Sequence, residues 1–219
     1  MEWQQRKIVS EYGFSVFGSE GTIHELRQVT SVDGKQVKSK GPEALAKLIL
    51  ADDEGRKREL LEQFASYGLL GAVTDFGQVI LLFTPANIGR YEFSFQRTAR
   101  QGDQPVLVFS FKQIDGPNPL TVIDSRSKAA KALPVEGEVW VTEQTYLPVQ
   151  ISLASGDENV RQEASIEYAM SGYGAVLPVH TDHHESRNGD VTAENHFTYS
   201  GFRRFGASAD IIFEPEDPR

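Results

Sequence analysis

The 219-residue chain contains no cysteine. That one absence excludes disulfides, thiolate metal sites and a cysteine nucleophile, without fixing the cellular compartment. Long apolar runs are missing too. The longest, Val79-Ile80-Leu81-Leu82-Phe83, is far shorter than the roughly 20 residues of a bilayer-spanning helix, so no integral membrane protein of the helical kind is expected. The opening Met1-Glu2-Trp3-Gln4-Gln5-Arg6-Lys7 shows neither a basic stretch followed by an apolar one nor a cleavage site. Two expectations follow: a cytoplasmic protein, or a mature exported chain whose signal peptide has been replaced by a starting Met.

Concentrated positive charge is also scarce. The formal net charge is -9 and the pI about 5.1, whereas nucleic-acid binding needs a basic face. The longest basic cluster, Arg56-Lys57-Arg58, lies among Asp52, Asp53, Glu54, Glu59 and Glu62. Mixed charge of that kind marks a solvated helix face, and no nucleic-acid partner is expected. The chain has no Gly-x-Ser-x-Gly elbow, no phosphate-cradling glycine loop and no His-Glu-x-x-His. Carboxylate pairs such as Asp52-Asp53 and Glu214/Glu216 stand in solvated segments, where nothing drives their pKa values apart for acid-base work. No enzymatic activity is expected.

What the chain does have is an ordinary globular composition, 39% hydrophobic and 24% charged, sufficient for a core without a disulfide or metal staple. No repeat, low-complexity segment or linker divides it, so residues 1–219 read as a single domain with a frayed tail at 214–219. Tyr12, Phe14 and Val16 alternate with Glu11, Gly13 and Ser15, the period of a half-buried strand. A second strand is expected over 22–32, turning at Asp33-Gly34. From Pro42 the spacing becomes helical: Leu45, Leu48 and Ile49, then Leu60, Leu61, Phe64 and Tyr67, read as two helices or one kinked helix. A third short helix is expected from about Asp75 to Phe83, with an inner strand over Val79 to Phe83 as the alternative. Beyond Pro85 the pattern is strand after strand: Tyr91/Phe93/Phe95, Leu107/Phe109/Phe111, residues 138–143, Val149/Ile151/Leu153, Ala164/Ile166/Tyr168/Met170, and a hairpin over 176–199 turning at Asn188-Gly189. Strands this close together pair antiparallel, because parallel neighbours need crossover helices. The fold class is therefore mainly β (α+β): a single curved antiparallel sheet with two or three helices packed on it.

Four of the five histidines, His180, His183, His184 and His196, lie in that last hairpin. In an extended strand His180, Asp182 and His184 share a face, and two imidazoles with a carboxylate suit zinc or another transition metal. A regular two-residue turn places His196 opposite Thr181, on the face of His183, Glu185 and Glu194, so a compact site using all four histidines is disfavoured. A polar strand end beside a turn is the preferred reading, with no cofactor or metal expected. His24 stands alone. Phe14, Phe93, Phe95, Phe109, Phe111, Trp140, Tyr168 and Phe197 occupy alternating strand positions. They read first as core fillers. Alternatively, the concave side of a half-closed sheet must be covered by helices or by an apolar ligand, and Phe93, Phe95, Leu107, Phe109, Phe111 and Trp140 are the candidate ligand-facing set.

Several short runs in the second half carry a resemblance. They are Gly137-Glu138-Val139-Trp140-Val141-Thr142, the following Leu147-Pro148-Val149-Gln150-Ile151-Ser152-Leu153, the Ile166-Glu167-Tyr168 strand, the Leu177-Pro178-Val179 step, and the run from Phe197 to Phe205. With the Pro85-Ala86-Asn87 step ahead of an aromatic strand, this half to two-thirds of the chain resembles uncharacterised secreted bacterial proteins related to the outer-membrane lipoprotein-sorting carriers, the LolA-like group. The resemblance implies an incomplete, strongly curved antiparallel barrel with helices plugging its open side, in a periplasmic or secreted protein. It transfers no functional residue. The expected function is a non-enzymatic cell-envelope protein binding a lipid or other apolar ligand. The alternatives are an interaction or sensing module for an envelope protein partner and, less favoured, a metal-dependent hydrolase using the histidines of residues 180–196.

Overall fold

The computed structural model describes residues 5–17, 22–37, 76–123, 130–156 and 159–202. Alternating sequence becomes strand wherever it was expected within those limits. The first three strands, β1 (Ile8–Phe17), β2 (Thr22–Val32) and β3 (Lys35–Gln36), form a three-stranded antiparallel sheet. Its tight turn puts Asp33 at φ 49° and Gly34 at φ 81°, the backbone that Asp-Gly adopts at low steric cost. Arg27 links this sheet to the rest, its guanidinium lying 5.0 Å from the centre of the Phe197 ring while its Nε donates to Ser10 Oγ at 3.0 Å.

The main sheet uses β4 (Tyr91–Gln101), β5 (Gln104–Gln113), β8 (Glu136–Thr142), β9 (Pro148–Gly156), β10 (Val160–Met170), β11 (Val176–Arg187) and β12 (Asp190–Thr198). Its order is β12-β11-β10-β9-β8-β5-β4, every described pair antiparallel. Between β5 and β8 the chain leaves to make a separate two-stranded hairpin, β6 (Leu120–Ile123) with β7 (Ala130–Leu133). The expected single sheet is thus corrected to three among the described residues. The two small sheets pair only strands adjacent in sequence, and their local ladders do not extend into the main one. Nor is the sheet closed there, since β4 and β12 lie at opposite ends of its order.

The helices expected between Pro42 and Tyr67 lie outside the described residues. The ambiguous stretch before Pro85 is a 3-10 helix, Phe76–Phe83, which settles the choice between helix and strand. It packs on one face of the main sheet, called inner below. Phe76 and Val79 are buried there with Tyr91, Phe111, Val135, Val139, Ile151, Leu153, Ala164, Ile166 and Tyr168. Burial of each large side chain contributes on the order of 1.5–3 kcal/mol. Tyr168 fastens the helix, its hydroxyl donating to Gly77 O at 3.3 Å and accepting from Ile80 N–H at 3.2 Å. Phe83 adds edge-on ring contacts to Tyr91, Phe93 and Phe111 at 4.9–5.5 Å between centroids. At one border of the core the inner face turns polar. There Gln113 bonds to the Val135 N–H and to three loop carbonyls, Ser155 to Pro134 O, and the buried Glu185 carboxylate to Gln162, Arg187 and Thr192. Each is satisfied, as burial of a polar group requires.

Candidate functional site

Two regions hold the residues singled out from sequence. At the β4 end, Phe93 pairs with Phe111 and Phe95 with Phe109 across the strands, and Leu107 stands opposite Val141. Alternation along β5 places Leu107, Phe109 and Phe111 on the inner face. Phe111 is core, 2% exposed. Phe93 and Phe109 are half-buried against that core. Phe95 is 57% exposed and meets Phe109 edge-on at 5.7 Å. Trp140 does not join them. It stands opposite Val108, so it points to the outer face, where the Arg97 guanidinium lies 5.4 Å from its ring centre and its Nε1–H donates to Glu138 at 3.1 Å. Because β8 pairs Val139 with Phe109, Val139 takes the inward position, and nothing in the composition of these strands announces that register.

The second region is the β11–β12 hairpin. Its turn is as expected, Asn188 at φ 51° and Gly189 at φ 87°. One residue further on, the ladder is irregular: Ser186 pairs with Val191 but Glu185 with Ala193, leaving Thr192 as an extra residue. Such a bulge shifts every later pairing by one. His196 therefore lies opposite Asp182, correcting the expected Thr181, and Glu194 lies opposite His184. His180, Asp182, His184, Glu194 and His196 all share the outer face, while His183 alone points inward.

On that face two imidazoles converge on one carboxylate oxygen. His180 Nε2 is 3.1 Å and His196 Nδ1 is 2.6 Å from Asp182 Oδ1. The hydrogen bond from His196 is the largest influence holding the Asp182 carboxyl below its ordinary value, reinforced by the charges of both histidines against partial burial. Glu194 Oε1 sits 3.6 Å from His196 Nε2 and 3.7 Å from His184 Nδ1. The expected trio of His180, Asp182 and His184 is accordingly reassorted. One donor atom each from His180, Asp182 and His196 falls within 4.8 Å of the others, whereas His184 leans to Glu194. Asp182 and His184 also border an open groove on the outer face, floored by Gly137, Ser152, Ala154 and Ser165.

His183 is of a different kind. It is fully buried and stacked on Phe76, with ring centres 4.5 Å apart. Asn195 Nδ2 lies 3.1 Å from its Nδ1, so the amide donates and the proton resides on Nε2, which has no hydrogen-bond partner among the described residues. Burial, helped by the nearby His184, pushes its pKa down to about 4. The sequence marked His183 only as facing away from its neighbours. Its burial depends on the 76–83 helix lying over it, a long-range contact. Comparison of the chain with family models, with curated proteins and with solved structures finds no match in any of the three.

Proposed function

We propose that the protein is a non-enzymatic binding protein of the bacterial cell envelope, periplasmic or secreted, that holds a lipid or other apolar molecule against the aromatic end of its main sheet. In this reading the sheet is a LolA-like half-barrel, with the helices expected between Pro42 and Tyr67 on its open side. The observation that carries it is the gradient of cover along the inner face. Phe111 is sealed under Phe83, but Phe93 and Phe109 are half-covered and Phe95 is mostly exposed. Large aromatic side chains left uncovered together mark a surface with an apolar occupant. The ligand-facing set narrows to Phe93, Phe95, Leu107 and Phe109, with Phe111 as core and Trp140 on the other side.

Native mass spectrometry of the purified chain, followed by denaturing extraction, tests this. A stoichiometric lipid-sized adduct that is lost in Phe95→Ser, with thermal stability nearly unchanged, is the expected result. Phe111→Ala should instead cost about 3–5 kcal/mol of stability as a core truncation. A bare protein mass together with no uptake of a fluorescent fatty acid would overturn the reading. A second reading rests on position. Phe95 lies on β4, an edge strand that pairs on one side only among the described residues, and an exposed edge can receive a strand from an envelope protein partner. Retention of a partner by wild type and not by Phe95→Ser, without any adduct, would favour it.

A further inference from the structure

The outer face of the β11–β12 hairpin carries a hydrogen-bonded cluster centred on Asp182. Its donors are also arranged for a metal. We propose that His180 Nε2, Asp182 Oδ1 and His196 Nδ1 bind one divalent transition ion of the zinc or copper(II) type, with water in the remaining positions.

Geometry supports this first. Ligand bonds of about 2.1 Å around a tetrahedral ion set donor atoms about 3.4 Å apart. The His180–Asp182 separation of 3.1 Å is already close to that edge. The His196–Asp182 separation of 2.6 Å needs to open by about 0.8 Å, a movement within reach of a side-chain rotation at three half-buried or exposed residues. The ion takes the place of the two imidazole protons that now point at Asp182. Chemistry narrows the choice: two neutral imidazoles and one carboxylate suit zinc, copper or nickel, whereas magnesium and calcium require mostly oxygen ligands.

The surroundings supply what a metal-bound histidine usually has. His196 Nε2, the nitrogen turned away from Asp182, faces the Glu194 carboxylate at 3.6 Å. That is an ion-pair distance and not a hydrogen bond, and once the ion displaces the proton from Nδ1, a closure of about 0.6 Å lets Glu194 accept from Nε2–H and hold the ring in its coordinating tautomer. The Thr192 bulge is what makes the triangle possible, because it sets His196 opposite Asp182. Bulges recur where a strand must re-aim a side chain. The chain's net charge of -9 favours accumulation of cations at such a face.

Isothermal titration of untagged, chelator-stripped protein with zinc chloride tests the proposal. One ion per chain is expected, with a dissociation constant of order 10 µM or tighter, and zinc should raise the melting temperature by mass action. His196→Ala and Asp182→Asn should each weaken binding at least ~10-fold, and Glu194→Gln about 10-fold at unchanged stoichiometry. Glu136→Gln, an acidic position on the same face in β8, should leave it unaltered. Circular dichroism checks that each variant is folded. Zinc that fails to bind below the millimolar range, or binds in several equivalents equally weakened by Glu136→Gln, would overturn the proposal in favour of a purely hydrogen-bonded cluster or a diffuse acidic surface.

Discussion

Replacing His183 by leucine should remove much of the acid sensitivity of folding between pH 7 and pH 4. In the fold this imidazole lies under Phe76 with its Nε2 out of reach of water, and its pKa falls from 6.5 to about 4. Unfolded, it takes up a proton near its ordinary value. Between the two pKa values the unfolded state therefore binds more protons than the native one. Stability is then full above about pH 6.5, declines as pH falls and levels off below about 4. At about 1.4 kcal/mol per unit the whole window is worth about 3 kcal/mol, of which about 2 is gone by pH 5. Asp182, whose carboxyl is held below its ordinary 3.8, loses its contribution only as pH falls below that value, outside this window. Glu185, two residues along the same face and paired with Arg187 at 2.8 Å, is common to both proteins. Urea unfolding of wild type and His183→Leu at pH 7, 6, 5 and 4 gives the comparison, and the stability difference between them should shift by about 2 kcal/mol from pH 7 to pH 5. Parallel profiles would refute the reasoning. Should the variant fold poorly, the ring resonance of His183 in the wild type decides instead: protonation near pH 6.5 would sink the account.

Two further substitutions probe the packing. Gly137→Ala should destabilise by about 2–3 kcal/mol in urea unfolding, because a Cβ there would press into the Ser152 carbonyl oxygen and stand 2.8 Å from Leu153 Cα. Tyr168→Phe should cost about 1–3 kcal/mol, and hydrogen exchange at the Ile80 amide should accelerate, since the hydroxyl is what ties the 76–83 helix to β10.

Strand existence and turn placement were legible because both are local. Asp33-Gly34 and Asn188-Gly189 adopt positive φ as their residue types favour, and Ile151/Leu153 and Ala164/Ile166/Tyr168 alternate inward as their spacing predicts, while Val149 falls at a ladder irregularity and Met170 is exposed. Register was not legible. Single extra residues at Thr192, Val179 and Gln96 displace the ladders of three strand pairs, and an extra residue leaves no mark on hydrophobic periodicity until the partner strand is known. The Thr192 bulge is why His196 lies on the other face from the one its spacing predicts, whereas Trp140 parts from Phe109 in a regular ladder, because the pairing of β8 with β5 is not written in either strand alone. The burial of His183 escaped for a related reason, since a histidine between Asp182 and His184 reads as polar until Phe76, remote in sequence, is laid over it.

The excursion through β6 and β7 has a consequence for how the molecule assembles. The main sheet is two sequence-local meanders, β4–β5 and β8–β12, meeting along the single β5–β8 seam. Every other junction in it spans five residues or fewer, whereas this one separates Gln113 from Glu136 by 22 residues of chain. Its chain-closure entropy is larger than that of any hairpin in the sheet and grows only slowly with further length. The five-stranded meander can therefore collect its cross-strand contacts early, with β4–β5 adding as a unit once Val135 and Gln113 meet. The aromatic end of the main sheet is thus joined to the rest through its one long-range seam, the pairing with the greatest loop-closure cost among the described strands of that sheet.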